Sequence, residues 1–145
     1  METKIKKDWN DRGKSNEELH RDTKIWSSEI HFINDEIHFL EHLLSSRYID
    51  CLASGLGKKI EISVKKISEE KINGQLLLKQ ILKHDNMLSD FIKNNSVYSN
   101  SNFMENHKKL ALEIENYEKK YKRLKKQIFE IVEKIMKKTA QKKLI

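Results

Sequence analysis

Apolar residues recur at steps of three and four along the last third of the chain. They are Phe103, Leu110, Ile114, Tyr117, Tyr121, Leu124, Ile128, Ile131 with Val132, and Ile135. At about 100° per residue these steps place one narrow apolar stripe along a helix. We therefore predict a helix over about 103–138 and expect the preceding segments to cover its stripe.

The first helix is predicted over about 16–53, and it carries two apolar stripes. The main stripe is Leu19, Trp26, Ile30, Ile33, Ile37, Leu40, Leu44, Tyr48 and Cys51. The second stripe is Ile25, Phe32, Phe39 and Leu43. Two stripes predict contact with more than one neighbouring surface. Ser15 and Glu18 have the spacing of a capping box, and Gly55 with Gly57 predicts the helix end.

A middle helix is predicted over about 58–92. Its stripe is Ile60, Val64, Ile67, Leu78, Ile81, Leu88 and Ile92, interrupted by Lys71, Gly74 and Asp85. The alternation from Ile60 to Val64 also suits a short strand, but a lone strand without a partner is unstable. Helix is therefore favoured, and continuity through Gly74 is left open because glycine weakens a helix interior.

Three helices joined by short connections predict an all-α fold, specifically an elongated three-helix antiparallel bundle (up-down-up) with coiled-coil character. The absence of proline and a charged fraction of 35% are typical of long helices. We predict a mobile N-terminal arm at 1–15, a single bundle domain at 16–138 and a frayed tail at 139–145.

The net charge of +7 is unevenly distributed, with an acidic first helix and a strongly basic last helix. The densest basic block comprises Lys119, Lys120, Lys122, Arg123, Lys125 and Lys126. Such a block can bind nucleic acid or another anionic surface. These side chains surround the helix everywhere except at its apolar stripe, and Tyr117 and Tyr121 belong to that stripe. Nucleic-acid binding is therefore a disfavoured alternative.

One side of the first helix carries four possible metal ligands, which are His31, Asp35, His38 and His42. An i,i+4 histidine pair can hold a divalent metal, which makes a metal-binding bundle a second alternative. A solvated polar face is the simpler interpretation, so no metal or cofactor is predicted. His107, inside the last stripe, is expected to be a hydrogen-bonded core histidine. Glu29 and Glu36, with Arg47, lie between the two stripes of the first helix, and we expect their charged ends to form ion pairs with a neighbouring helix.

No motif in the sequence predicts an enzyme, because neither a nucleophile motif nor a glycine-rich phosphate loop is present. Cys51 is the only cysteine and is expected in the core. The N-terminus lacks a signal-peptide core, and no apolar run approaches the roughly 18 residues of a membrane span. We therefore expect a cytoplasmic protein that does not contact membranes.

The run from Trp26 to Leu44, WSSEIHFINDEIHFLEHLL, resembles the first helix of uncharacterised small helical-bundle proteins of Bacteroidetes. The segment from His107 to Leu110 is similar to the same set. The resemblance implies a helical fold and assigns no activity or site.

The expected function is that of a non-enzymatic protein–protein interaction or structural module, acting through helix–helix association. The partner would be another protein or a second copy of the chain, in a possible homodimer. The candidate surface is the second stripe of the first helix, Ile25, Phe32, Phe39 and Leu43, because an apolar patch left exposed favours association.

Overall fold

The computed structural model of the protein describes residues 14–93 and 101–144, and every regular element in these ranges is a helix. The helices are α1 (Asn16–Ser46), α2 (Tyr48–Ala53), α3 (Gly57–Lys93) and α4 (Ser101–Leu144). The predicted all-α class is confirmed. Residues 60–64 lie inside α3 and are helical, and α3 continues through Gly74, which is buried.

The chain divides into two compact units. Unit 1 comprises Met1–Ile30 and Leu76–Ile114, and unit 2 comprises His31–Gln75 and Glu115–Ile145. The prediction of a single domain over 16–138 stays a prediction. Within the described ranges, no helix has both the length and the apolar character that crossing a lipid bilayer requires.

The start of α1 has the predicted capping box. Ser15 Oγ accepts a hydrogen bond from the Glu18 amide at 3.2 Å, and the Ser15 amide donates to Glu18 Oε1 at 3.4 Å. Two amides that the first helical turn would leave unpaired are satisfied in this way. Of the predicted arm at 1–15, residues 1–13 lie outside the described residues.

The prediction of one continuous helix over about 16–53 was wrong, because the helix is interrupted at Arg47. The backbone there leaves helical geometry, with φ −102° and ψ 4°. The Arg47 amide is shared between the carbonyls of Leu43 and Leu44, at 3.2 and 3.3 Å. No glycine or proline marks this break, and Tyr48, predicted in the main stripe, is exposed beyond it.

Gly55 ends α2 as predicted. Its φ of +77° is left-handed, a conformation that glycine adopts without a side-chain clash. The Leu56 amide donates to the Cys51 carbonyl at 2.9 Å, and the Gly55 amide donates to the Leu52 carbonyl at 3.3 Å. These bonds form a Schellman motif. Gly57 begins α3, where an added Cβ would lie 2.9 Å from Leu52 Cδ2.

The apolar stripe of α4 is buried as predicted, apart from Ile131, which is half-buried. In unit 1, Leu19, Leu88 and Phe103 form a buried cluster, and Met87, Phe91 and Met104 pack against it. In unit 2, the buried residues include Ile37, Leu40, Ile60, Ile67, Leu124 and Ile128. α4 continues to Leu144, past its predicted end at 138.

The predicted stripe of α3 was wrong at three of its seven positions. Val64 and Ile92 are exposed and Leu78 is half-buried, whereas the residues that precede Val64 and Leu78, Ser63 and Leu77, are buried. The buried positions of α3 are Ile60, Ser63, Ile67, Glu70, Gly74, Leu77, Ile81, His84 and Leu88. At Ser63 the core residue is polar, so the hydrophobic pattern favoured the apolar neighbour Val64, whereas Leu77 and Leu78 are both apolar and the pattern did not distinguish them.

Candidate functional site

Two histidines and a carboxylate form a buried hydrogen-bonded chain in unit 1, which we call the Asp22–His107–His84 chain. His84 Nε2 lies 2.8 Å from His107 Nδ1, and His107 Nε2 lies 2.9 Å from Asp22 Oδ2. Lys14 Nζ donates to the same Asp22 oxygen at 2.8 Å. The exposed fraction is 0% for His107 and 6% for His84. Hydrogen bonds thus connect α3, α4 and α1 within unit 1.

Aromatic packing holds the two imidazole rings in place. His84 stacks on Phe103 with ring centroids 4.3 Å apart and planes 7° apart. The Trp26 ring lies 4.7 Å from the His107 ring, and Phe91 meets Phe103 edge-on. Stacked and edge-to-face contacts of this kind restrict the ring orientations. The ring nitrogen atoms of His84 and His107 are therefore held in one orientation.

The pKa values of both end residues of the Asp22–His107–His84 chain, Asp22 and His84, are lowered, so the two residues differ in charge. Burial acts to raise the pKa of Asp22, but hydrogen bonds from His107 and Lys14, with their charges, lower that pKa below its usual value. Burial lowers the pKa of His84 to about 4, and the charge of His107 acts in the same direction. Asp22 is therefore ionised and His84 is neutral at pH 7.

A second polar contact joins α1 to α3 in unit 1. Asp85 Oδ1 lies 2.9 Å from His20 Nδ1 and 2.9 Å from Thr23 Oγ1. The Thr23 hydroxyl also lies 2.8 Å from the His20 carbonyl oxygen. Asp85, which interrupted the predicted stripe of α3, therefore faces α1.

An aspartate–histidine pair is the arrangement that activates a nucleophile in hydrolases. Here both nitrogens of His107 are occupied by Asp22 and His84, and the ring is fully buried. The hydroxyl of Thr23 contacts Asp85 and His20 rather than either ring of the chain. A general base must reach its substrate, so this geometry suits a structural or proton-holding role better than catalysis.

The candidate metal ligands of α1 lie apart from the Asp22–His107–His84 chain. His31, Asp35, His38 and His42 are all exposed, and His38 Nδ1 lies 3.6 Å from Glu41 Oε1. Over residues 14–93 and 101–144, no group of three or more His, Cys, Asp or Glu side chains could hold a metal ion.

The second stripe of α1 is open to solvent, with one member partly covered. Phe32 is 62% exposed and Phe39 is 58% exposed, both in unit 2. Ile25, in unit 1, is also exposed, and Leu43 is half-buried. We call Phe32 and Phe39 the α1 aromatic column, because they lie two helical turns apart on one side of α1.

Three of the six basic candidates on α4 have carboxylate partners. Lys125 Nζ donates to Glu36 Oε2 at 2.7 Å, Lys120 Nζ lies 3.3 Å from Glu70 Oε1, and Lys119 Nζ lies 2.9 Å from Glu115 Oε1. The expected pairing with a neighbouring helix is therefore confirmed for Glu36, whereas Glu29 is exposed. The remaining three, Lys122, Arg123 and Lys126, are exposed. Part of the basic charge is neutralised within unit 2.

Unit 2 also buries polar groups that the sequence pattern did not reveal. Glu70 is 1% exposed, and its Oε2 atom has no hydrogen-bond partner among residues 14–93 and 101–144. Burial raises the pKa of Tyr117, and the charges of Glu70 and Glu118 add to this effect. Burial likewise raises the pKa of Tyr121, whose hydroxyl donates to Glu36 Oε1 at 2.9 Å.

Sequence reasoning singled out His107 correctly as a satisfied core histidine but missed its partners. His84 and Glu70 share the three-four spacing of the α3 core, so that spacing, applied without regard to polarity, would have found them. Nothing in the local sequence distinguishes Asp22, because its role depends on a residue 85 positions away.

Comparison with protein-family models, with curated proteins and with solved structures finds no match to this chain. The resemblance to helical-bundle proteins of Bacteroidetes is untested by these comparisons and stays a prediction.

Proposed function

We propose that this protein is a non-enzymatic interaction module that associates through helices with a second copy of itself or with another protein. In this proposal it is a cytoplasmic three-helix, up-down-up bundle with coiled-coil character. The bundle arrangement is supported by contacts inside each unit. Asp22 contacts His107 in unit 1 and Glu36 contacts Tyr121 in unit 2, and both pairs are separated by 85 residues.

The α1 aromatic column is the observation that carries the proposal. Large exposed aromatic side chains are costly to hydrate, and phenylalanine is enriched at protein interfaces. Polar residues flank the column on α1, among them the exposed His31, Asp35 and His38. An apolar centre with a polar rim is the usual anatomy of an interface.

Self-association is tested by light scattering after size exclusion at protein concentrations from about 1 to 100 µM. We expect the wild-type mass to rise with concentration and the Phe32→Glu and Phe39→Glu variants to stay monomeric, because a carboxylate cannot be buried unpaired in an apolar contact. Leu82→Glu is the matched control, since Leu82 on α3 is also 62% exposed. A strictly monomeric wild type would rule out self-association.

Association with another protein is tested by placing a photo-crosslinking amino acid at position 39 and, as control, at position 82. A crosslinked product that forms at position 39 alone, and that Phe32→Glu abolishes, supports the proposal. If the wild type is monomeric, equal products at both positions would contradict the proposal, and so would the absence of any product at both positions. Nucleic-acid binding is not proposed, because Lys119, Lys120 and Lys125 already have carboxylate partners.

A further inference from the structure

The Asp22–His107–His84 chain can hold only a limited number of protons. Asp22 accepts from Lys14 and faces His107 Nε2, so His107 donates from Nε2 to the carboxylate. Between the rings, His84 Nε2 and His107 Nδ1 are 2.8 Å apart, which is a hydrogen bond with one proton. The two rings together therefore accommodate at most one positive charge.

Full protonation of both rings would break the link between them. Each facing nitrogen would then carry a hydrogen, so neither could accept, and two imidazolium rings would lie with centroids 5.0 Å apart. Like charges at this distance in a buried site repel strongly. Phe103 and Trp26 flank the rings with apolar surface, which leaves little water to solvate a second charge.

We propose that the Asp22–His107–His84 chain is an acid-sensitive switch in unit 1: uptake of a second proton by the histidine pair disrupts the packing of α3 against α4 in that unit. The inference does not depend on the α1 aromatic column. Charged and titratable groups lie near the pair on each packed helix. They are Lys14 and Asp22 on the α1 side, Asp85 on α3 with its contact His20 on α1, and Lys83, Lys109 and Glu113, which line a pocket with His84.

The direction and pH window of the switch follow from linkage. The pKa of His84 is lowered from 6.5 to about 4 in the folded protein, so folding favours the neutral ring. The stabilisation is complete above pH 6.5 and is lost as the pH falls towards 4. Asp22 contributes at lower pH, because its pKa is lowered from 3.8 and its stabilisation is lost only below that value. The two effects are therefore separable near pH 5.

Hydrogen exchange at pH 7.5 and pH 5, corrected for intrinsic rates, tests the switch on the full chain. We expect amide protection over residues 78–90 and 103–114 of unit 1 to fall about 30-fold, as the linkage relation gives for a pKa change from 6.5 to about 4. Protection over residues 117–135 of unit 2 serves as the internal reference and should change by less than about threefold. A parallel fall in both units would overturn the proposal.

His84→Gln separates titration from packing, since a glutamine amide can occupy the hydrogen-bonding position of Nε2 without titrating. We expect this variant to lose most of the acid-dependent fall, and His38→Gln, which removes an exposed histidine, to retain it. A fall as large in His84→Gln as in the wild type would contradict the assignment. If His84→Gln does not fold, the ring ¹⁵N shifts of wild-type His84 decide: a ring already protonated at pH 6 overturns the proposal, and a neutral ring supports it.

Discussion

Replacing Glu70 by leucine should stabilise the protein, although it removes a charged group with an ion-pair partner. Glu70 occupies a core position of α3 and is 1% exposed, and Oε2 has no hydrogen-bond partner within the described ranges. Glu70 Oε1 accepts a long hydrogen bond of 3.5 Å from Asn73 Nδ2, and its ion-pair partner Lys120 is 59% exposed at the side chain, so water screens that attraction. The free-energy cost of desolvating the carboxylate is therefore larger than the stabilisation that its ion pair contributes.

The size of the effect can be worked from these contacts. A buried carboxylate oxygen without a partner lowers the free energy of unfolding by about 1–3 kcal/mol, and the ion pair with exposed Lys120 raises it by about 0.2–1 kcal/mol. Burying a leucine side chain contributes about 1.5–3 kcal/mol, from which imperfect fit removes up to about 1.5 kcal/mol. Because the methylene groups of Glu70 are already buried, most of the leucine contribution is not new, and we expect the free energy of unfolding to rise by about 1–3 kcal/mol for Glu70→Leu.

Urea unfolding followed by far-UV circular dichroism measures the change, with the m-value checked for constancy. Glu69→Leu is the control, because Glu69 is the exposed neighbour on the same helix and its change should stay within about 0.5 kcal/mol. The pKa of Tyr117 should also fall in Glu70→Leu, since the Glu70 charge helps to raise it. A loss of more than about 1 kcal/mol at unchanged m would refute the reasoning and show that the buried carboxylate is stabilising.

Three further changes test other contacts. Ser15→Ala removes the capping hydroxyl of α1 and should lower the free energy of unfolding by about 1 kcal/mol in urea titrations, an expectation that an unchanged midpoint would contradict. Tyr121→Phe deletes the donor to Glu36 and should cost about 1–2 kcal/mol in the same assay, whereas a neutral result would mean that water replaces the hydroxyl. Asp22→Asn should destabilise unit 1 at pH 7 and flatten the decline in stability below pH 4, because the lowered pKa of Asp22 makes its ionised form the stabilising one. A Tm measured against pH that keeps the wild-type slope below pH 4 would argue against this role.

The helices themselves could be predicted where core positions are apolar. In α4 the stripe from Phe103 to Ile135 contains only apolar residues, tyrosines and His107, and periodicity placed it correctly. In α3 the same method selected Val64 because the polar residue Ser63 holds the core position, and it selected Leu78 although its equally apolar neighbour Leu77 is the buried one. Hydrophobic periodicity reports the buried face only while that face is apolar.

The site was harder to predict, because it consists of tertiary contacts between residues that are ordinary in their own helices. Asp22 lies on α1 among other charged residues, and only contact with His107 gives it a buried environment. The interruption at Arg47 has no glycine or proline, so it follows from packing that a single helix pattern does not contain. Capping signals, by contrast, are local, and both Ser15 and Gly55 were identified from sequence.

The hydrogen bonds of Asp22 and Glu36 can also explain why α1 and α4 adopt one alignment. Apolar stripes with a regular three-four spacing pack almost equally well after a slip of one heptad. Such a slip of α4 along α1 would place Asp22 opposite Ile114 in unit 1 and Glu36 opposite Ile128 in unit 2, instead of His107 and Tyr121. Each hydrogen bond lost in this way would cost about 1–3 kcal/mol, even though Asp22 would keep its contact with Lys14. The hydrogen bonds of Asp22 and Glu36 therefore disfavour the slipped alignment in each unit.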